Sequence, residues 1–235
     1  MKNTNLIISS AVASVLCSGF ASAGQSASAV QPAATSGVTG YAEVSAVTGS
    51  ESLNLDFGGG GGSLSEDVSG GRFDGGLLFG NGFSLDGRYE RVDSESDISL
   101  DQARVLLNYT QEIAPNISAF FGAGYGTQQF GVAGSGFNSD AILANAGIEF
   151  TSGQFFGSAV YTHSFATSTS LSDLGGSGGG SMPSIPKVDV GYLEANLGYR
   201  LNDNLSAVAS IETQVSGNSF VEKDWLAGLG LRFGF

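Results

Sequence analysis

The chain has little cysteine, histidine, proline or charge, and each shortage removes a class of function. One cysteine occurs in 235 residues, Cys17, and it lies in an N-terminal apolar segment. Beyond that segment no disulfide, thiolate nucleophile or cysteine-ligated metal is possible. His163 is the single histidine. Charged residues make up 13% of the chain, against about 25% in an ordinary soluble domain. Nine Lys and Arg stand against 22 Asp and Glu, which disfavours nucleic-acid binding because that requires a basic footprint. Past the first residues no apolar run approaches the length of a membrane helix. Walker loops, zinc-ligand spacings and a Gly-x-Ser-x-Gly elbow are missing. Gly122-Ala-Gly-Tyr-Gly126 has the look of a dinucleotide fingerprint, but it sits within a strand pattern and opens no helix. No catalytic residue, metal or cofactor is expected.

Glycine, phenylalanine and period-2 alternation are abundant: 37 Gly and 16 Phe, with 41% of residues hydrophobic. The last twelve residues carry the clearest pattern. Trp225, Ala227, Leu229, Leu231, Phe233 and Phe235 fall on one face of a strand, and Leu226, Gly228, Gly230, Arg232 and Gly234 on the other. An aromatic-rich face opposite a small and polar one suits a strand between lipid and a barrel lumen. At the other end, one lysine, an apolar stretch over 6–20 and Ala21-Ser22-Ala23 form a secretory signal pattern over 1–23. Lipidation at Cys17 is not expected, because Ser14-Val15-Leu16 departs from the lipoprotein pattern. Residues 24–37 are small, polar and aperiodic, and read as a flexible periplasmic lead-in. Residues 38–235 form the expected barrel.

Ten strands are predicted, at 38–48, 71–80, 83–92, 101–112, 117–127, 140–151, 154–165, 188–200, 205–215 and 223–235. Short connections with turn chemistry, Asn81-Gly82, Ala114-Pro115-Asn116, Ser152-Gly153 and Asn202-Asp203-Asn204, alternate with longer ones at 49–70, 93–100, 128–139, 166–187 and 216–222. Short turns on one rim and long loops on the other describe an all-β, transmembrane, up-and-down antiparallel barrel. Ten strands is the favoured number, with eight or twelve as alternatives. The acidic residues Glu51, Asp56, Glu66, Asp67, Asp93, Glu95, Asp97 and Asp101 fall in the presumed loops. Solvation explains them, and bridging of divalent cations to lipopolysaccharide phosphates is the sharper alternative.

Alternation also assigns the lumen. Glu43, Asp74, Asp86, Glu90, Glu112, Glu149, Glu194 and Glu212 point inward, with Arg72, Arg88, Arg104, Arg200 and Arg232. Charges of both signs in a narrow space should pair, since each left alone carries a several-kcal/mol desolvation cost. Two readings follow: an ion-pair network that fills the barrel, or a narrow channel with a carboxylate surplus that prefers cations.

With its closing strand, signal and loop rhythm, the chain resembles the small outer-membrane β-barrels grouped with OmpA/OmpX-like and porin-family proteins. The resemblance covers about 38–235. It implies the outer membrane of a Gram-negative bacterium, with membrane lipids and lipopolysaccharide as surroundings and a monomeric state. It also implies that Phe233 and Phe235 serve as the signal read by the barrel-assembly machinery. The role it implies is a non-enzymatic envelope structure or surface interaction, with a porin-like channel as the alternative. Two enzymatic families of small outer-membrane barrels use a histidine. Omptin proteases have ten strands and use paired Asp residues with an Asp–His couple, but no acidic pair stands out near His163. Lipid A deacylases of the PagL type use a His and a Ser two apart on the lipid face. Here Ser164 is adjacent to His163, which puts it on the opposite face and leaves lipid A modification a remote alternative.

Overall fold

The computed structural model describes residues 38–56, 61–96, 98–132, 135–172, 189–218 and 221–235. The signal segment and lead-in expected over 1–37 lie outside the described residues, as does most of the 166–187 connection. Ten strands form: β1 (Val38–Asp56), β2 (Gly61–Phe79), β3 (Phe83–Ser94), β4 (Ile98–Ala114), β5 (Ile117–Val132), β6 (Ser135–Ser152), β7 (Phe155–Ser172), β8 (Asp189–Arg200), β9 (Leu205–Asn218) and β10 (Val221–Gly234). Each pairs antiparallel with its sequence neighbours, and β1 also pairs with β10, closing the barrel. All ten predicted strands are present. Closure is carried to the last residue, where Phe235 and Gly40 exchange backbone hydrogen bonds of 2.8 and 2.9 Å. The Phe235 ring lies over Gly40, where a Cβ would come within 2.6 Å of it.

Local chemistry sets the tight turns on one rim. Gly82, Asn116 and Gly153 adopt positive φ angles of 85°, 64° and 60°, a region that glycine and asparagine enter at low cost. Each follows the residue type a tight hairpin favours. On the opposite rim the strands run further than expected. Ser50 still pairs with Asp67 and Ser52 with Ser65 on β1 and β2, Gln129 pairs with Asn138 on β5 and β6, and Asp140 pairs with Ser168 on β6 and β7. Most of the segments read as loops at 49–70, 93–100 and 128–139 are therefore strand.

The physical reason is a reversal of phase. Along β3, Phe83, Leu85 and Tyr89 face outward and are exposed, while Arg88 and Glu90 face the lumen. Two residues later, Arg91 and Asp93 are outside, each 54% exposed, and Val92 is inside at 1%. β4 does the same: Val105 and Leu107 are outside, but Ile98 and Leu100 are inside. The lower part has an apolar exterior and a charged interior. The upper part has a polar exterior and an apolar interior, like a soluble barrel. A pattern search for apolar-out strands stops where the phase flips.

The apolar belt has two aromatic edges. Phe79, Phe83, Phe150, Phe155, Tyr199 and Phe233 ring the tight-turn side, and Tyr89, Tyr125, Tyr161, Phe165 and Trp225 ring the other, all exposed. Ten residue steps separate Phe155 from Phe165 on β7. That is about 34 Å along a strand, or roughly 26 Å of height at a 40° tilt, close to the apolar band of an outer-membrane barrel.

Candidate functional site

The lumen holds the chemistry. At its centre four cations meet four carboxylates. Arg72 on β2 grips Glu90 on β3 through Nε and Nη2, both 2.6 Å from one carboxylate oxygen. Arg88 on β3 bonds Asp74 across the strand pair, reaches Glu194 on β8 at 2.6 Å and Glu212 on β9 at 3.0 Å. Arg104 on β4 adds a 3.0 Å contact to Glu194. Lys223 on β10 lies 2.7 Å from Glu212 and 2.9 Å from Glu90. The side chains of Arg72, Glu90, Glu212 and Lys223 are at most 4% exposed. Each ion has at least one opposite charge in contact, which is what offsets its desolvation.

Toward the tight-turn rim a second group fills the lumen. Arg232 pairs with Glu43 at 2.8 Å and lies over the Tyr41 and Phe156 rings at 4.5 and 5.2 Å. Asp86 accepts hydrogen bonds from Tyr41 (3.2 Å), Ser84 (2.7 Å) and Asn108 (2.7 Å). Toward the long rim, past Arg72 and Glu90 on their own strands, Val47, Val68, Val92, Ile98, Leu100, Phe130 and Leu226 form an apolar cluster inside the barrel. Beside the charged network, against β4 to β8, a cavity of about 60 Å³ remains. Arg104, Gln128, Thr162, Ser164 and Tyr192 are among its lining residues.

The sequence reading and the structure differ at several positions. Glu43, Asp74, Asp86, Arg88, Glu90, Arg104, Glu194, Glu212 and Arg232 occupy the lumen, and all but Asp86 form ion pairs. Glu149 is half-buried and makes none of these ion pairs. Arg200 lies toward the tight-turn rim, donating to the Gly153 carbonyl at 3.3 Å and lying 5.9 Å from the Phe156 ring. Glu112 is on the inward face, opposite Ser118, but lies exposed at the same rim. Glu51, assigned to a surface loop, is 4% exposed on β1 and faces inward.

Lys223 was missed. Strict alternation back from Trp225 puts residue 223 outside, but Ser50 opposes Trp225 while Glu51 opposes Lys223. Asp224 is the extra residue of a β-bulge, which turns Lys223 inward. The available signal was the lysine itself, beside an apolar strand that otherwise lacks an inward partner for Glu90 and Glu212.

His163 faces outward at the upper edge of the belt. Its Nδ1 is 3.0 Å from the Tyr161 hydroxyl, which also lies 3.2 Å from Ser216 Oγ, and its ring lies 4.4 Å from Phe165. Ser164 lines the lumen cavity on the other side of the wall. Among the described residues no group of His, Asp and Glu is arranged to hold a metal ion.

No protein-family pattern matches the chain, and no curated protein matches it in sequence. Solved structures do. An outer-membrane channel from Pseudomonas putida F1 superposes with a TM-score of 0.56 at 8% identity, over 88% of this chain and 100% of that one. The β domain of the Bordetella autotransporter BrkA gives 0.44 at 14% identity, over 86% and 100%. The outer-membrane protease OmpT from Escherichia coli gives 0.44 at 9%, over 87% and 100%. The chain has the fold of the bacterial outer-membrane β-barrels.

Proposed function

We propose that this chain is a non-enzymatic, monomeric barrel of the Gram-negative outer membrane, with a structural or surface-interaction role and a lumen closed to ions. It sits among membrane lipids and lipopolysaccharide, and the barrel-assembly machinery engages the strand that ends at Phe233 and Phe235. One observation carries the reading: paired charges at the centre and apolar side chains toward the long rim occupy the lumen. The central ions pair with one another, and the inner apolar cluster packs beyond them with Leu226 at 0% exposure. A permeating ion would have to displace bonded partners and then cross an apolar constriction, which gates by dewetting. The strand extensions above the belt present a polar surface suited to contact outside the cell.

A cation-preferring channel is the second reading, and the inward carboxylates Glu51 and Asp86, which join none of the ion pairs described above, favour it. Planar-bilayer recording of the purified, detergent-folded barrel separates the two. Closed-lumen behaviour is an absence of discrete, stable conductance steps. Reproducible unitary steps with cation selectivity would replace it with the channel reading.

A further inference from the structure

The cavity of about 60 Å³ in the lumen wall has a composition that the ion-pair network does not explain. Its lining cations are Arg88 and Arg104, and Arg104 is the least enclosed cation of the central network. The Arg104 side chain is 21% exposed, against 1% for Arg72, 13% for Arg88 and 3% for Lys223. Among the described residues its one carboxylate contact is Nη2 to Glu194 at 3.0 Å. A guanidinium carries five N–H donors in a planar fork, so most of its capacity is still unspent.

Neutral donors stand around the same space. Thr162 is 5% exposed, and it lines the cavity with Gln128, Ser164 and Tyr192. Among the described residues these four make no side-chain hydrogen bond. Leu143 and Ala141 supply an apolar part of the wall. Glu212 is the one carboxylate on the lining. Its two oxygens are already held by Lys223 at 2.7 Å and Arg88 at 3.0 Å, so its charge is compensated.

We propose that this cavity binds a small monovalent anion, of the class of formate, acetate or chloride, on the free edge of Arg104. Such a ligand supplies acceptors to a partly satisfied guanidinium and to hydroxyl and amide donors that have none. Charge-assisted hydrogen bonds of this type are the strong ones. A space of this size beside the guanidinium takes a small anion with a water or two. Water alone would satisfy the neutral groups but leave the fork without a counter-charge on that side. The inference does not depend on whether the lumen conducts, since a closed barrel and a channel both present the cavity.

The test is calorimetric titration of the detergent-folded barrel with sodium formate and with sodium chloride, at constant ionic strength held by sodium gluconate, a far bulkier anion whose own titration is the control. Saturable binding is expected, and the two titrations distinguish a carboxylate preference from a halide one. Arg104→Gln should weaken it about tenfold or more, the loss of one charged hydrogen-bonding group. Crystals soaked in sodium bromide should show an anomalous peak beside Arg104. Absence of saturable heat with both salts, or equal affinity in wild type and Arg104→Gln, overturns the site. Should Arg104→Gln fail to fold, Gln128→Leu and Thr162→Val break no ion pair and carry the test. Unchanged affinity in both of those variants overturns it equally.

Discussion

At the scale of the residue, burial decides what an ion pair contributes. Lys223 and Arg91 both pair with carboxylates, but Lys223 is 3% exposed and Arg91 is 54% exposed. Removing Lys223 takes one of two bonded cations from Glu90 and from Glu212, which keep Arg72 and Arg88, and leaves the buried cluster with an uncompensated negative charge. Lys223→Ala should therefore destabilise the barrel by about 3–5 kcal/mol. Arg91→Ala should cost no more than about 1 kcal/mol, since its pair with Asp93 is solvated and screened. Urea unfolding in detergent or lipid, followed by tryptophan emission from Trp225, measures both. Equal costs would show that the interior is more hydrated than its packing implies. Residue identity in the sequence named most of the central ions correctly, because arginine and glutamate at inward positions of a membrane strand have few other places to go. Partner choice was illegible. Arg88 and Glu194 are 106 positions apart, and nothing local links them.

At the scale of the element, each strand has two environments on one face. On β5, Phe121 and Gln129 both face outward, but Phe121 lies in the apolar belt at 63% exposure and Gln129 lies past Tyr125 on the polar extension. Phe121→Arg should cost about 2–4 kcal/mol, the penalty for a cation against the bilayer interior. Gln129→Arg should change stability by less than about 0.5 kcal/mol, as surface substitutions usually do. Folding titrations in lipid vesicles give both numbers. A large cost at Gln129 would move the membrane boundary upward. The same duality explains why the strand cores were legible and their upper ends were not. Period 2 persists through Arg91, Val92 and Asp93, but the apolar residue changes sides there, and the bulge at Asp224 shifts β10 by one residue without any glycine or proline to mark it.

At the scale of the whole molecule, closure leaves no free strand edge. β1 and β10 meet through a ladder that runs from Tyr41 opposite Gly234 to Leu53 opposite Val221. The lumen side chains then tie opposite walls together, as Arg88 on β3 does with Glu194 on β8. Strand ladders and cross-lumen ion pairs break together, so unfolding should be cooperative and slow in mild detergent. The unheated sample should run as a compact species on dodecyl sulfate gels, and the boiled sample at a different mobility. Identical mobility before and after boiling would contradict a closed barrel held by these contacts.

The sequence by itself favoured ten strands over eight or twelve, and determined the tight turns, the outward face of each membrane strand and most inward charges. These depend on alternation and turn chemistry, which act between neighbours along the chain. Tertiary structure alone decided that Lys223 joins the network, that Glu112 and Arg200 stay at the rim, and that Glu51 is buried. It also decided that the upper lumen is apolar and that a cavity remains beside Arg104. Each of those depends on which side chains face one another across a closed ring of ten strands. Register, bulges and the diameter of the closed barrel set that arrangement, and no local window of sequence contains it.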